Sequence, residues 1–272
     1  MRIKNVLSAA ALCTASVLAL SSCSKEKEAV VPALETSVSQ TVISQIKEMG
    51  LTTEGIQRVE GGYLVEGDIV ITDENLATKP EYSLLRVGDQ EQYRTTNLVS
   101  VGSGRTVTVA VSTSLPSAYV TATDEAIRRY NAQSLLIKFQ RVSSGTYNIL
   151  MTKAPAGSTY LASAGFPSGG NPFNQVQVNS DAMGTANAST YIATVLAHEI
   201  GHCIGFRHTD YMDRSYSCGG AFTNEGASTV GAINIPGTPT AADPNSWMLA
   251  CIGSGSNRPF NANDVTALRY VY

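Results

Sequence analysis

Hydrophobic residues along the chain switch between helical and extended spacing. Val42, Ile43, Ile46 and Met49 recur at helical intervals and Gly50 follows as a stop, predicting a helix over 38–49. Residues 62–71 (GYLVEGDIVI) are dense in β-branched side chains and predict an extended segment, with Asp73 and Glu74 opening a turn or helix after it. Residues 95–105 (TTNLVSVGSGR) carry Gly, Ser and Thr with little periodicity, as a connector at a domain boundary would. From Arg105 the pattern alternates. Residues 106–111 read as a strand and 117–131 as a helix burying Val120, Ala126, Ile127 and Tyr130. Residues 135–142 and 147–152 read as strands joined at Ser143-Ser144-Gly145, and 160–166 and 175–179 as two more. A helix capped by Asn187 or Ser189 then runs to about Ile204. Asn261 caps a short last helix, with Asp264 in its first turn and Leu268 and Val271 facing inward.

The 272 residues are enough for one or two domains with a real core. With 43% apolar and 15% charged residues the chain is ordinary for a globular protein, which excludes a disordered one. A net charge of −3 without a basic patch argues against nucleic acid as a partner.

The start reads as an export signal. Arg2 and Lys4 precede an apolar run, 6–20, that is too short for a comfortable membrane span. It ends Leu20-Ser21-Ser22-Cys23, which resembles a bacterial lipobox, so 1–22 is expected to be removed and Cys23 to carry lipid. The plainer alternative is a secretory signal followed by a chance cysteine. Residues 23–36 then form a tether, and the expected location is that of an exported, membrane-anchored lipoprotein. Export permits a disulfide. Of Cys203, Cys218 and Cys251, the last two lie in the irregular region after 204 and are the preferred pair, leaving Cys203 as a small buried hydrophobe.

The chemistry concentrates in Ala197–Asp210, A-H-E-I-G-H-C-I-G-F-R-H-T-D. His198 and His202 are one helical turn apart, so both rings reach one ion. Glu199 follows the first of them and stands beside a metal-bound water, where a carboxylate takes up a proton and returns it to a leaving amine. Catalytic zinc takes three protein ligands and keeps one position open. Gly205 can adopt the positive φ that ends the helix, letting His208 approach as the third ligand. All three histidines of the chain fall in this stretch, which makes three separate structural accidents a poor explanation.

The pattern HExxHxxGxxH resembles the metzincin clan of zinc metallopeptidases, and HEIGHCIGFRHTD is similar to the dual-action HEIGH metallopeptidases. The resemblance covers roughly 105–272. It implies an α+β catalytic domain with a mixed five-stranded sheet, two long helices and an irregular lower subdomain, acting as a zinc-dependent endopeptidase on protein or peptide. It also implies a methionine turn under the metal, for which Met248 after Asp243-Pro244-Asn245 is the candidate. Several metzincins carry a tyrosine two residues after that methionine; here the position is Ala250, so a substrate oxyanion must be stabilised by other means. In this fold the substrate lies along an edge strand, for which 160–166 is the candidate.

Residues 37–104 are then prosegment-like. Leu64-Val65-Glu66-Gly67-Asp68-Ile69 is similar to the Phe-x-Gly-Asp prosegment motif of astacins, with Val65 in place of the Phe. On that reading Asp68 takes the fourth zinc position in a latent form, and cleavage within 94–105 releases activity. The bland reading is a Gly-Asp turn in a small domain that stays attached. The competing function is a surface lipoprotein with a structural zinc, acting as a binding or adhesin module.

Overall fold

The computed structural model describes residues 37–49, 51–77, 92–225, 232–239 and 243–272. The signal and the whole tether, Cys23 included, lie outside the described residues. Among those described, no helix is long and apolar enough to cross a membrane.

In chain order the elements are α1 (Gln40–Glu48), β1 (Gln57–Val59), β2 (Gly62–Val65), β3 (Ile69–Thr72), α2 (Asp73–Ala77), β4 (Tyr93–Arg94), β5 (Arg105–Val111), α3 (Ala118–Asn131), β6 (Ile137–Val142), β7 (Ile149–Lys153), β8 (Ala162–Gly165) and β9 (Gln175–Val178). Then follow α4 (Ser180–Met183), α5 (Ala193–Ile204), α6 (Ser215–Cys218), β10 (Ile233–Asn234) and α7 (Ala262–Val271). This is a mixed α/β architecture on one sheet of eight strands, ordered β1-β2-β3-β8-β9-β7-β5-β6. Strands β5 to β9 supply the five expected after residue 104. The other three come from the N-terminal region, so the sheet is larger than five strands.

The difference arises at β8. Its outer side, expected to be a free edge, pairs in parallel with β3, Ile69 opposite Ala164 and Val70 opposite Gly165. Asp68 O accepts from Ala164 N at 2.9 Å. Nor is 62–71 one extended segment. Val65 pairs with Ile69 across a hairpin whose three-residue tip is Glu66-Gly67-Asp68. Glu66 (φ 55) and Gly67 (φ 90) both take the left-handed conformation that such a tip needs. The hairpin and α1 share a small core of Ile46, Leu51, Val65, Ile69 and Ile71, which Phe166 joins from beyond β8.

The main core lies between the sheet and the two longest helices. Tyr119, Ala122, Ala126 and Tyr130 of α3 face Val107, Ile137, Ile149 and α5. The inward stripe of α3 includes Tyr119 in place of Val120, which is only partly buried. Neither Asn187 nor Ser189 caps the helix, which starts after Ile192. Asn187 has φ 56 and makes no side-chain cap bond; a single π-turn over Ala188–Ile192 leads into α5 instead. All twelve residues of α5 are buried. Helix α7 has the expected cap at Asn261, and Asp264 completes it as a capping box. The 95–105 stretch is not a loose connector along its whole length. Thr95 and Val99 are buried, Thr95 N donates to Gly205 O and Val99 N to the Tyr272 hydroxyl; 102–104 form its longest exposed run.

Candidate metal centre

Helix α5 carries His198, Glu199 and His202, and one helical turn sets the two histidines on one face. Gly205 ends the helix with φ 108. A Cβ there would stand 2.7 Å from Leu98 Cδ2 and 2.9 Å from Asn97 O, so the position needs glycine for space as well as for φ. The chain then doubles back, and His208 comes up against the other two rings, with centroids 5.3 Å from His198 and 4.9 Å from His202.

Each ring is oriented by its Nδ1. His198 Nδ1 faces Trp247 O at 2.9 Å, His202 Nδ1 faces Phe206 O at 2.9 Å, and His208 Nδ1 faces the Glu225 carboxylate at 3.0 Å. These acceptors place the ring proton on Nδ1 and leave the Nε2 lone pairs for a common target. The three Nε2 atoms and a carboxylate oxygen of Asp68 all lie within 4.8 Å of one another. Asp68 Oδ2 is 3.1 Å from His208 Nε2 and 3.5 Å from His198 Nε2. Ligands of a tetrahedral zinc at 2.0–2.1 Å stand about 3.3 Å apart, close to those spacings. His198 Nε2, His202 Nε2, Glu199 Oε2 and Asp68 Oδ1 are buried without a hydrogen-bond partner. Such a cluster of orphans is costly unless something binds them together. Three imidazoles and a carboxylate suit a zinc ion.

The electrostatics agree. Burial, with positive neighbours at His198 and His208, holds His202 well below the ordinary imidazole value, in its neutral, ligating form. Burial alone would lower His208 too, but the Asp68 and Glu225 carboxylates override it and hold His208 well above its usual value. Burial works upward on Asp68, yet His208 and His198 prevail and keep its carboxyl well below the usual range. Burial, reinforced by Asp68, pushes Glu199 well above the ordinary carboxylate value, so Glu199 is disposed to take a proton.

Met248 is fully buried beneath this cluster. Its carbonyl accepts from Thr209 N at 2.9 Å. Gly201 makes room for it, since a Cβ there would stand 2.6 Å from Met248 Sδ. Asp210 joins this loop to the following segment by accepting from Ala250 N and Ser217 Oγ. Cys218 and Cys251 are bonded to each other across the same junction, and Cys203 is free and buried.

Three contributors give little sign of themselves in the sequence. Glu225 orients His208 from 17 residues away. Arg207 is fully buried between Glu66, at 3.0 Å, and Glu225, at 3.7 Å. Glu66 therefore ties the hairpin tip to the segment between Gly205 and His208. Only Gly205 and the short Gly67-Asp68 pair hinted that the chain turns here. Beside the cage opens a cavity of about 270 Å³ that reaches from Asp68, His198 and Glu199 to Leu249, Ile252 and Arg258.

A family model described as dual-action HEIGH metallo-peptidase matches residues 63–272, a span that takes in the β2–β3 hairpin as well as α5. No curated protein matches the chain.

Proposed function

Since the chain belongs to the dual-action HEIGH metallo-peptidase family, we propose that it is a zinc-dependent endopeptidase, made latent by its own Asp68. The observation that carries this reading is the convergence of three Nε2 atoms beside a buried, partnerless Glu199 oxygen. His198, His202 and His208 would hold the ion. When bound there, zinc would make a water nucleophilic near neutral pH and polarise the scissile carbonyl. Glu199 then takes the proton from the attacking water and delivers it to the departing amine, a role its raised affinity for protons suits. Trp247 O, Phe206 O and Glu225 hold the imidazoles in one tautomer throughout.

Asp68 sits where that water would enter, and β3 covers the strand edge along which a peptide would lie. One feature favours the competing reading. With Asp68 counted, the cage has four protein ligands, and a closed tetrahedral set is the mark of a structural zinc.

Digestion of casein by residues 24–272 in the presence of zinc separates the two. The uncut protein is expected to be nearly inert and Asp68→Ala to cleave without prior processing. Glu199→Gln, placed in the Asp68→Ala chain, should keep its zinc and lose about 10²–10⁴-fold in rate. If Asp68→Ala remained as inert as the parent, the latency idea would fail. Zinc bound without cleavage in every form, proteolytically nicked forms included, would leave the structural-zinc reading.

A further inference from the structure

The cavity beside the cage has apolar walls, Val195, Leu249 and Ile252 among them, and two arginines. Arg214 is paired, its Nε 3.1 Å from Glu225. Arg258 is not: among the described residues no carboxylate oxygen lies within ion-pair distance of its guanidinium. Its side chain makes one hydrogen bond, from Nη1 to the Cys251 carbonyl at 3.2 Å, while its backbone N–H donates to Thr194. The carboxylates whose charges reach it, Asp210, Asp264 and Asp243, have oxygens engaged elsewhere. Asp210 accepts from Ala250 N and Ser217, Asp264 from Gln92, Ser246, Trp247 N and Asn261 N, and Asp243 from Asn245 N, Asn261 and Asn263. Burial pulls Arg258 below its ordinary pKa despite these three charges. A half-buried guanidinium with spare donors, in an apolar pocket, is an incomplete interaction that a carboxylate completes by a two-pronged, charge-assisted contact.

We propose that Arg258 is a specificity-determining residue that selects a substrate carboxylate on a residue flanking the scissile bond. Arg258 lines the same cavity as His198 and Glu199, which leaves room there for a substrate side chain next to the reacting carbonyl. Two substrate groups offer that chemistry: an Asp or Glu side chain, cut within a chain, and a free C-terminus, trimmed from the end. The inference rests on the peptidase reading, and two measurements keep the failures apart.

In the first, full-length Asp68→Ala protein with zinc digests a peptide pool with free or amidated C-termini, and cut sites are read by mass spectrometry. Asp and Glu are expected to be enriched about ten- to a hundredfold at one position flanking the cut. Release of terminal residues from free C-termini alone would assign the carboxylate to the chain end. Arg258→Met should abolish the preference while neutral sites are still cut, and Arg258→Lys should retain part of it. The second measurement needs no turnover. N-acetyl-glutamate amide and its glutamine counterpart are titrated into wild-type protein, followed by the guanidinium NMR signals. The acid should shift the Arg258 signal and the neutral analogue should not. Cleavage without acidic or terminal preference, or a preference that survives in a folded Arg258→Met protein, overturns the proposal. Absence of cleavage in every form counts against the peptidase reading, and the titration then decides for or against Arg258 by itself.

Discussion

Two regions meet at the histidine cage, and they are held in place differently. Helix α5 brings His198, Glu199 and His202 on a single rigid element with every residue buried. The β2–β3 hairpin brings Asp68 and Glu66 on a three-residue tip, from about 140 positions upstream. Val65, Ile69 and Ile71 pack with α1 in a small core of their own, while Leu64 and Val70 pack on Ala154 and Tyr160. Its grip on the rest is two residue pairs with β8, the Phe166 contact, that packing on Ala154 and Tyr160, and polar contacts at the tip. The helix is fixed by hydrophobic burial, which no single contact controls. The tip is fixed by a few charged groups, each of which a single substitution or a cut can undo. A permanent ligand set and a removable plug would be built in these two ways.

The comparison is broken most severely at Arg207. Its guanidinium serves Glu66 of the hairpin and Glu225 of the ligand-orienting side at once. Arg207→Met is expected to destabilise the full chain by about 3–5 kcal/mol, because it strips a cation from buried acids. Urea denaturation measures this. A loss below about 1 kcal/mol would mean that apolar packing and strand pairing hold the tip and the charges are incidental.

The same contrast explains what the sequence could disclose. The α5 side was legible because its information is local: one helical turn between His198 and His202, then a glycine that ends the helix. The Asn261 cap and its Asp264 partner were legible for the same reason. The hairpin was harder. The β-branched residues of 62–71 read as one extended segment, and the only mark of a tip is Gly67, since Glu66 in a left-handed conformation has no sequence signal. Pairing of β3 with β8 joins residues nearly a hundred positions apart, so 160–166 reads as an edge although it is covered. Asn187 looked like a cap, but the π-turn after it shifts the start of α5. Glu225 and Arg258 lie in irregular segments where no periodicity points anywhere, and only three-dimensional proximity gives them a role.

A milder break targets ligand orientation. His198 and His202 are steered by backbone carbonyls, which no side-chain substitution removes. His208 depends on a carboxylate. Glu225→Gln keeps an acceptor but withdraws the charge, and zinc affinity is expected to fall about 10- to 100-fold. Competition with a calibrated chelator reads this directly. An unchanged affinity would show that the chain geometry after Gly205 positions His208 without help.

The smallest effect is expected at Glu66, and it sharpens the account of the tip. Burial and the nearby Glu225 push Glu66 well above its ordinary pKa, while His208 and Arg207 hold Glu225 below its own. Of the two acids, Glu66 is therefore the one more disposed to be neutral. Glu66→Gln imitates that neutral form, so it should cost less than about 1 kcal/mol where Arg207→Met costs several. An acid whose folded pKa is raised binds its proton more tightly in the native state. Its contribution is therefore fully present below the unfolded value near 4.3 and declines as pH rises toward the folded one. Stability curves of wild type and Glu66→Gln should coincide in acid and diverge as pH rises, with wild type losing more. Curves that stay parallel, with Glu66→Gln as damaging as Arg207→Met at every pH, would show an ionised Glu66 and make a full salt bridge the anchor of the tip.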